Sequence, residues 1–286
     1  MALNITPTTS HREREKCFIV YPVYSRRSEG LSVGINLFTQ RKMCNFDCPY
    51  CEVFPFSSDA VFSLEQMEVD LRDAIKNAQE QKITVKDICF SGNGEPTLSP
   101  AFPDALKSAE KIREQAAPSA KLVIITNGAG LLQKRTFSLL KETAVNYSMH
   151  DIWLKLDAGT PYWYQKMSRS SIPFEKIMEK IKEFASCAPV TIQTMLCAID
   201  AEIPPQEEVQ AWETIICELN ETDLFKQSTV KGTSNIRKVQ LYGKARSAPE
   251  DPSASSLPAE YLKSRAVSLR RRFEEKNIIT PVNLYL

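Results

Sequence analysis

The feature that most constrains the fold is a regular alternation of short apolar segments with longer segments of helical period. Six short segments, rich in β-branched residues, are typical of buried strands: residues 31–38, 85–92, 121–128, 151–159, 190–197 and 236–243. Each is followed by a segment with apolar residues at three- and four-residue spacing: 64–82, 101–115, 130–144, 174–186, 206–220 and 258–276. Strand and helix in alternation, six times, predict parallel βαβ units.

Periodicity alone leaves two architectures open, a partly closed barrel and a doubly wound open sheet. In both, ligands bind at the carboxyl ends of the strands. The polar and glycine-containing stretches lie where predicted strands end: CNFDCPYC after the first, SGNGEPT at the second, TNG at the third and DAG at the fourth. We therefore expect the functional residues at that end of the strands.

Charge and length limit the classes of partner. The 286 residues have a net charge of only +1. A nucleic-acid partner is therefore possible, but the charge does not indicate one. No segment has the composition of a secretion signal or a membrane span, and we expect a cytoplasmic protein that does not bind membranes. We expect one domain, with a lead-in (1–29, where 21–30 form a hairpin or an extended segment), a core barrel (30–245) and a closing loop, helix and tail (246–286).

Cysteine spacing points to a metal centre. Eight cysteines in a reducing compartment favour metal binding or catalysis over disulfides, and three of them, Cys44, Cys48 and Cys51, lie within eight residues around Pro49. The other five occur singly, and we interpret them as buried apolar side chains. Structural zinc needs a fourth protein ligand, which no nearby cysteine or histidine pair supplies. An iron-sulfur cubane held by three cysteines leaves one iron open to a ligand that is not protein.

The pattern C-x3-C-x2-C, with Tyr50 before the last cysteine, resembles the signature of the radical S-adenosylmethionine enzymes, and the likeness extends over about residues 30–245. It implies a partial (βα)6 TIM-like barrel and a 4Fe-4S cluster on Cys44, Cys48 and Cys51. In that superfamily S-adenosylmethionine chelates the open iron and is cleaved by one electron, from a donor such as flavodoxin or ferredoxin. The resulting 5'-deoxyadenosyl radical abstracts hydrogen from the substrate.

The same resemblance implies which residues contact the cofactor. The stretch SGNGEPT would meet the methionyl amino group, through Gly92, Asn93, Gly94 and Glu95. Polar residues at the next strand ends would contact the ribose or the carboxylate, namely Thr126, Asn127, Lys155 and Asp157, and Tyr50 would lie near the adenine or the cluster. Strand alternation places Lys155 and Asp157 on one face. Gln193 either contacts the cofactor from the cavity wall or satisfies a hydrogen bond in the core.

Substrate candidates share one parity at the end of the sixth strand: Gln240, Tyr242, Lys244 and Arg246. If that face points inward they would hold a polar or anionic substrate; for Lys244 and Arg246 a solvated surface is the alternative. The sequence identifies no catalytic residue.

Three longer stretches, FSGNGEPTLSP, IQTM and VQLYGKAR, resemble the subgroup of wyosine-type tRNA modification enzymes and queuine lyases. The wyosine enzymes carry further N-terminal cysteines for a second cluster, whereas here only Cys17 precedes the motif. We therefore expect first a lyase or oxidoreductase that acts on a small molecule, such as a queuosine-type nucleoside or its phosphate. The alternatives are an enzyme that modifies tRNA or activates a protein and, third, a non-catalytic metal-binding protein.

Overall fold

A computed structural model describes residues 18–221, 235–246, 248 and 251–286. Cys17 and most of the predicted lead-in lie outside these residues. The contacts of the chain group into two compact units, the first made of residues 1–44, 52–126 and 147–151 and the second of residues 45–51, 127–146 and 152–286. The predicted division at residues 29 and 245 stays a prediction.

The first unit is built on four neighbouring strands and two helices. Its strands run in the order β1-β2-β3-β4: β1 (Val20–Ser25), β2 (Gly30–Ile35), β3 (Val85–Phe90) and β4 (Lys121–Thr126). β1 and β2 form an antiparallel hairpin, which is one of the two forms expected for residues 21–30, and β2, β3 and β4 pair in parallel. The helices are α1 (Leu64–Glu80) and α2 (Phe102–Ala116).

The helices of this unit begin and pack as their sequences predict. Ser63 caps α1 because its side-chain oxygen accepts from the backbone N–H of Gln66. Residues at helical spacing along α1, such as Met67, Leu71 and Ile75, are buried, so that one stripe faces the strands. The parallel strands β2, β3 and β4 are mostly buried on both faces, which explains why their sequences show no alternation of polar and apolar residues.

The second unit continues the strand and helix pattern. β5 (His150–Lys155) has its first two residues in the first unit. The strands run in the order β5-β6-β8-β10, all parallel, with β6 (Val190–Leu196), β8 (Ile236–Gly243) and β10 (Val282–Tyr285), while β7 (Ala198–Ile199) pairs antiparallel with β9 (Ala254–Ser255). The helices are α3 (Lys134–Asn146), α4 (Pro161–Ser168), α5 (Phe174–Cys187), α6 (Gln206–Asn220) and α7 (Ala259–Glu275).

All six predicted strands are strands, but the count of six was wrong, since the described part of the chain holds ten. The additional ones are the hairpin strand β1, the two-residue pair β7 and β9, and β10, whose four residues are too few to give a periodic signal. The helix α4 was missed for the same reason. None of the helices in the described ranges is long and apolar enough to cross a membrane.

Candidate functional site

In the first unit, the loop after β3 forms backbone hydrogen bonds with Met43, the residue just before Cys44. Gly92 and Gly94 have φ angles of 111° and 148°, which L side chains rarely adopt. A Cβ on Gly94 would lie 1.8 Å from the carbonyl oxygen of Met43. The N–H of Met43 donates to the carbonyl of Asn93 at 3.0 Å, and the N–H of Glu95 donates to the carbonyl of Met43 at 2.9 Å. Only glycine at position 94 allows this approach.

Two asparagines fix the same loop. Oδ1 of Asn36, the residue after β2, accepts from the backbone N–H of Asn93 at 3.1 Å and from that of Phe38 at 3.2 Å. Nδ2 of Asn93 donates to the carbonyl of Phe38 at 2.9 Å. Sequence reasoning missed Asn36, although a polar residue at the end of an apolar strand could have signalled it.

Glu95 and Thr126, both predicted to contact the cofactor, meet inside the first unit. The carboxylate of Glu95 is buried, and its Oε1 accepts from the hydroxyls of Thr126 at 2.7 Å and Thr97 at 2.6 Å. The backbone N–H of Thr97 also points at this oxygen, at 3.3 Å, so that Glu95 caps a short 3-10 helix (Pro96–Leu98). The structure therefore gives Glu95 a fixed orientation.

The three clustered cysteines lie in the segment where the chain passes from one unit to the other. Cys44 is exposed and belongs to the first unit; Cys48 and Cys51 are partly exposed and belong to the second. The N–H of Cys51 donates to the carbonyl of Cys48 at 3.0 Å, which closes a turn around Pro49. Over the ranges that the structure describes, no three cysteine, histidine, aspartate or glutamate side chains stand close enough together to hold a metal ion.

Among the isolated cysteines, Cys89, Cys197 and Cys217 are buried, as interpreted from the sequence. Cys187 is only half-buried, because it is the last residue of α5.

In the second unit, Asp157 is the centre of a network of charged and aromatic side chains. The Tyr50 hydroxyl donates to Oδ2 of Asp157, and the backbone N–H of Met195 donates to Oδ1 at 2.7 Å. Nζ of Lys155 lies 2.9 Å from the same Oδ1 and donates to the hydroxyl of Tyr242 at 2.5 Å. Lys155 and Asp157 therefore share one face, as predicted, and Tyr50 and Tyr242 join them.

The ammonium of Lys155 also faces two aromatic rings. Its Nζ lies 5.0 Å from the ring centroid of Tyr50 and 4.9 Å from that of Tyr242, both within the range of a cation-π interaction. The cation is thus balanced by a carboxylate and two rings.

Burial shifts the protonation equilibria of this network. Burial lowers the pKa of Lys155, but the negative Asp157 and the Tyr242 hydroxyl outweigh it, and the net pKa is raised. Burial, and then the charge of Asp157, raise the pKa of Tyr50. Burial likewise raises the pKa of the Cys48 thiol. Tyr50 is therefore a hydrogen-bond donor and Lys155 a cation at neutral pH.

The other predicted residues of the second unit divide into buried and partly exposed ones. Gln193 and Gln240 are fully buried, and Nε2 of Gln193 donates to Oε1 of Gln240 at 2.7 Å, which favours the core hydrogen bond for Gln193. Nδ2 of Asn127 donates to Oδ1 of Asn45 at 3.0 Å, so that it contacts the cysteine segment. Lys244 and Arg246 follow β8 and are partly exposed.

Two further features were not anticipated. A largely apolar pocket of about 350 Å³, including its mouth, is lined by Phe46, Asn127, Asp157, Tyr164, Met167 and Phe174, among others. Glu208 is a buried carboxylate whose oxygens accept from the N–H of Gly159 and the hydroxyl of Thr160, each at 2.6 Å. Burial raises the pKa of Glu208 to about 7. A lone glutamate in a helix gave no signal of this role in the sequence.

Comparison with known proteins supplies the family context for this geometry. Residues 42–198, more than half of the chain, match the model of the Radical SAM superfamily. A UPF0026 protein of Helicobacter pylori is 30% identical over 171 residues, which are 57% of this chain and 50% of that protein. The chain thus spans about half the length of this relative.

Two solved structures share the fold. Streptococcus suis SuiB bound to S-adenosylmethionine superposes with a TM-score of 0.63 at 13% identity, over 86% of this chain and 49% of SuiB. A radical SAM methyltransferase from Sphaerobacter thermophilus does so with a TM-score of 0.61 at 12% identity, over 92% of this chain and 68% of the methyltransferase. These similarities confirm the predicted fold class, a partial TIM-like barrel of parallel strands with outer helices.

Proposed function

The chain belongs to the radical SAM superfamily, whose members are enzymes that use a 4Fe-4S cluster and S-adenosylmethionine, and on this premise we propose that it cleaves S-adenosylmethionine reductively to start a radical reaction on a small substrate. The observation that carries the proposal is the segment of residues 44–51, which lies inside the matched region and offers three thiols without a fourth. Three thiolates are the donors that an open cubane cluster needs.

Cys44, Cys48 and Cys51 would hold the cluster, which when bound supplies one electron for cleavage of the carbon-sulfur bond of S-adenosylmethionine. The chain's own task is to orient the donor segment. The bonds of Met43 to Asn93 and Glu95 fix the backbone before Cys44, and the turn from Cys48 to Cys51 fixes the other two cysteines.

Further residues would bind the cofactor by hydrogen bonds. Gly92, Asn93, Gly94 and Glu95 would receive the methionyl amino group, since the buried Glu95 is a carboxylate held in place by two hydroxyls. We propose contacts to the ribose or the carboxylate for the polar residues Thr126, Asn127, Lys155 and Asp157, and a position near the adenine or the cluster for Tyr50. Gln193, which is fully buried and donates to Gln240, is assigned the core hydrogen bond. Gln240, Tyr242, Lys244 and Arg246 stay candidates for substrate binding.

For the substrate we propose a small polar molecule such as a queuosine-type nucleoside or its phosphate. One observation supports small size: the net charge of +1 gives no general attraction to RNA. The sequence stretches that resemble those of queuine lyases suggest a nucleoside. Flavodoxin or ferredoxin would donate the electron.

The test is anaerobic reconstitution followed by reaction with S-adenosylmethionine and dithionite. The protein should take up about four irons and form 5'-deoxyadenosine. Cys48→Ala should abolish product formation, whereas the matched control Cys187→Ala, at a half-buried helix end, should leave it nearly unchanged. Well-folded protein that neither binds iron nor forms the product would overturn the proposal.

The substrate class is tested by stimulation of the same reaction. Nucleosides and nucleotides should increase 5'-deoxyadenosine formation, and tRNA should not. Stimulation by tRNA alone would favour the second candidate, an enzyme that modifies RNA.

A further inference from the structure

The carboxylate of Asp157 is anchored to main chain on one side and to the cysteine turn on the other. The backbone N–H of Met195 in β6 donates to Oδ1 at 2.7 Å. β6 is fully buried and pairs with β5, which ends at Lys155, two residues before Asp157. The next backbone contact, from the N–H of Leu156 to the carbonyl of Gln193 at 2.9 Å, extends that pairing. The position of Asp157 is therefore set by the strands.

On the other side, Oδ2 of Asp157 accepts a hydrogen bond from the hydroxyl of Tyr50. Tyr50 stands directly before Cys51 and two residues after Cys48, and the N–H of Cys51 bonds to the carbonyl of Cys48. Because Tyr50 lies inside this short turn, a hydrogen bond that fixes its side chain also restrains the backbone between the two cysteines. The hydroxyl of Tyr50 thus connects the turn to the strands over one hydrogen bond to a charged acceptor.

Lys155 makes this anchor electrostatically feasible. A buried carboxylate without a cation would be costly, and the ammonium of Lys155 lies 2.9 Å from Oδ1 of Asp157. Lys155 also stands over the ring of Tyr50 at 5.0 Å, so that it contacts both partners of the anchoring bond.

We propose that Asp157 is a positioning residue, which fixes the Cys48–Cys51 turn through the hydroxyl of Tyr50 and so restrains the two cysteines when they bind an iron-sulfur cluster. This role differs from the contact to ribose that the family resemblance implies for Asp157. It rests on the proposed function, because it assumes that these cysteines bind the cluster.

The test measures how firmly the reconstituted, full-length protein holds its iron. The rate of iron loss to a chelator, followed under argon by the absorbance of the cluster, is compared for wild type, Tyr50→Phe, Asp157→Asn and the double variant. Each single variant should lose iron about ten times faster, the effect of losing one hydrogen bond to a charged group. The double variant should lose iron no faster than Asp157→Asn alone, because once the carboxylate is gone the Tyr50 hydroxyl has no charged acceptor left to lose.

Glu208→Gln is the matched control, because Glu208 is also a buried carboxylate of this unit but bonds to Gly159 and Thr160. It should lose iron at the wild-type rate. The electron paramagnetic resonance spectrum of the reduced cluster should change in Tyr50→Phe and stay unchanged in Glu208→Gln. A general weakening of the unit would not produce this difference between the two variants.

The outcomes separate this inference from the proposed function. Wild type that holds iron while Tyr50→Phe and Asp157→Asn lose it no faster would overturn the positioning role alone. Additive effects in the double variant would overturn it too, because the two residues would then act independently. Wild type that takes up no iron would overturn the proposed function and this role with it.

Discussion

The loop at Gly92–Glu95 in the first unit and the network around Asp157 in the second both hold part of the cysteine segment, but by different means. The first uses glycine conformations, backbone hydrogen bonds and a neutral amide, Asn36. The second uses a carboxylate, an ammonium and two tyrosines. We therefore expect the first region to lose stability when a side chain is added to a glycine, and the second region to lose stability when a charge is removed.

The largest effect is expected for Gly94→Ala, which tests the backbone-built region. Its Cβ would lie 1.8 Å from the carbonyl oxygen of Met43, at a φ angle of 148°. Strain and two lost hydrogen bonds should lower the free energy of unfolding by about 4 kcal/mol or more. Chemical denaturation of the metal-free protein measures it.

Gly128→Ala is the control for that variant. It has a similarly restrictive φ angle of 82°, but its Cβ would meet side chains and no backbone atom, the nearest being Leu154 at 3.2 Å and the others Ile177 and Ile181 at 3.6 Å. It should cost clearly less, about 1 to 2 kcal/mol. Equal losses for the two glycines would show that the contact with Met43 is not what constrains the loop.

Lys155→Met tests the charge-built region. Methionine keeps much of the apolar length but leaves the Asp157 carboxylate, whose side chain is only 11% exposed, without its cation. Breaking such a pair should lower the free energy of unfolding by about 3 kcal/mol. Lys180→Met, which removes an exposed partner of Glu183, should cost much less. A loss for Lys155→Met as small as that of the control would contradict the role of charge here.

A third effect is a dependence on pH that belongs to the second unit and that reaches its full size only across several pH units. The pKa of Glu208 is raised from 4.5 to about 7, so the folded protein binds this proton more tightly than the unfolded chain does. Its stabilising contribution is complete below about pH 4.5 and is lost as the pH rises to about 7, a change of at most about 3 kcal/mol.

Urea denaturation at several pH values measures this contribution. The free energy of unfolding of Glu208→Gln should fall less steeply between these pH values than that of wild type. Parallel curves for the two proteins would contradict the raised pKa.

The contrast between the two regions also decides what the sequence could predict. Glycines between a strand and a helix, and cysteines three and four residues apart, are local patterns, so the loop at Gly92–Gly94 and the donor segment could be identified. The partners of Asp157 could not, because Tyr50 and Tyr242 stand 107 and 85 positions away from it along the chain. Only the folded chain brings such residues together.

Some local elements were not predicted from the sequence, for a different reason. The strand β10 has four residues and α4 has eight, too few for a period to stand out. Asn36 shows the intermediate case: its polarity at a strand end is visible, but its bond to Asn93 depends on the pairing of β2 with β3. Periodicity in the sequence predicts the helices and strands, whereas the contacts between side chains can be known only from the folded structure.

The most direct test of the central claim is the electron paramagnetic resonance spectrum of the reconstituted, reduced protein with and without S-adenosylmethionine. If Cys44, Cys48 and Cys51 hold a cluster with one iron open, adding S-adenosylmethionine should change the signal, and Cys48→Ala should lack the signal. A cluster signal in the wild type that S-adenosylmethionine leaves unchanged would contradict the account.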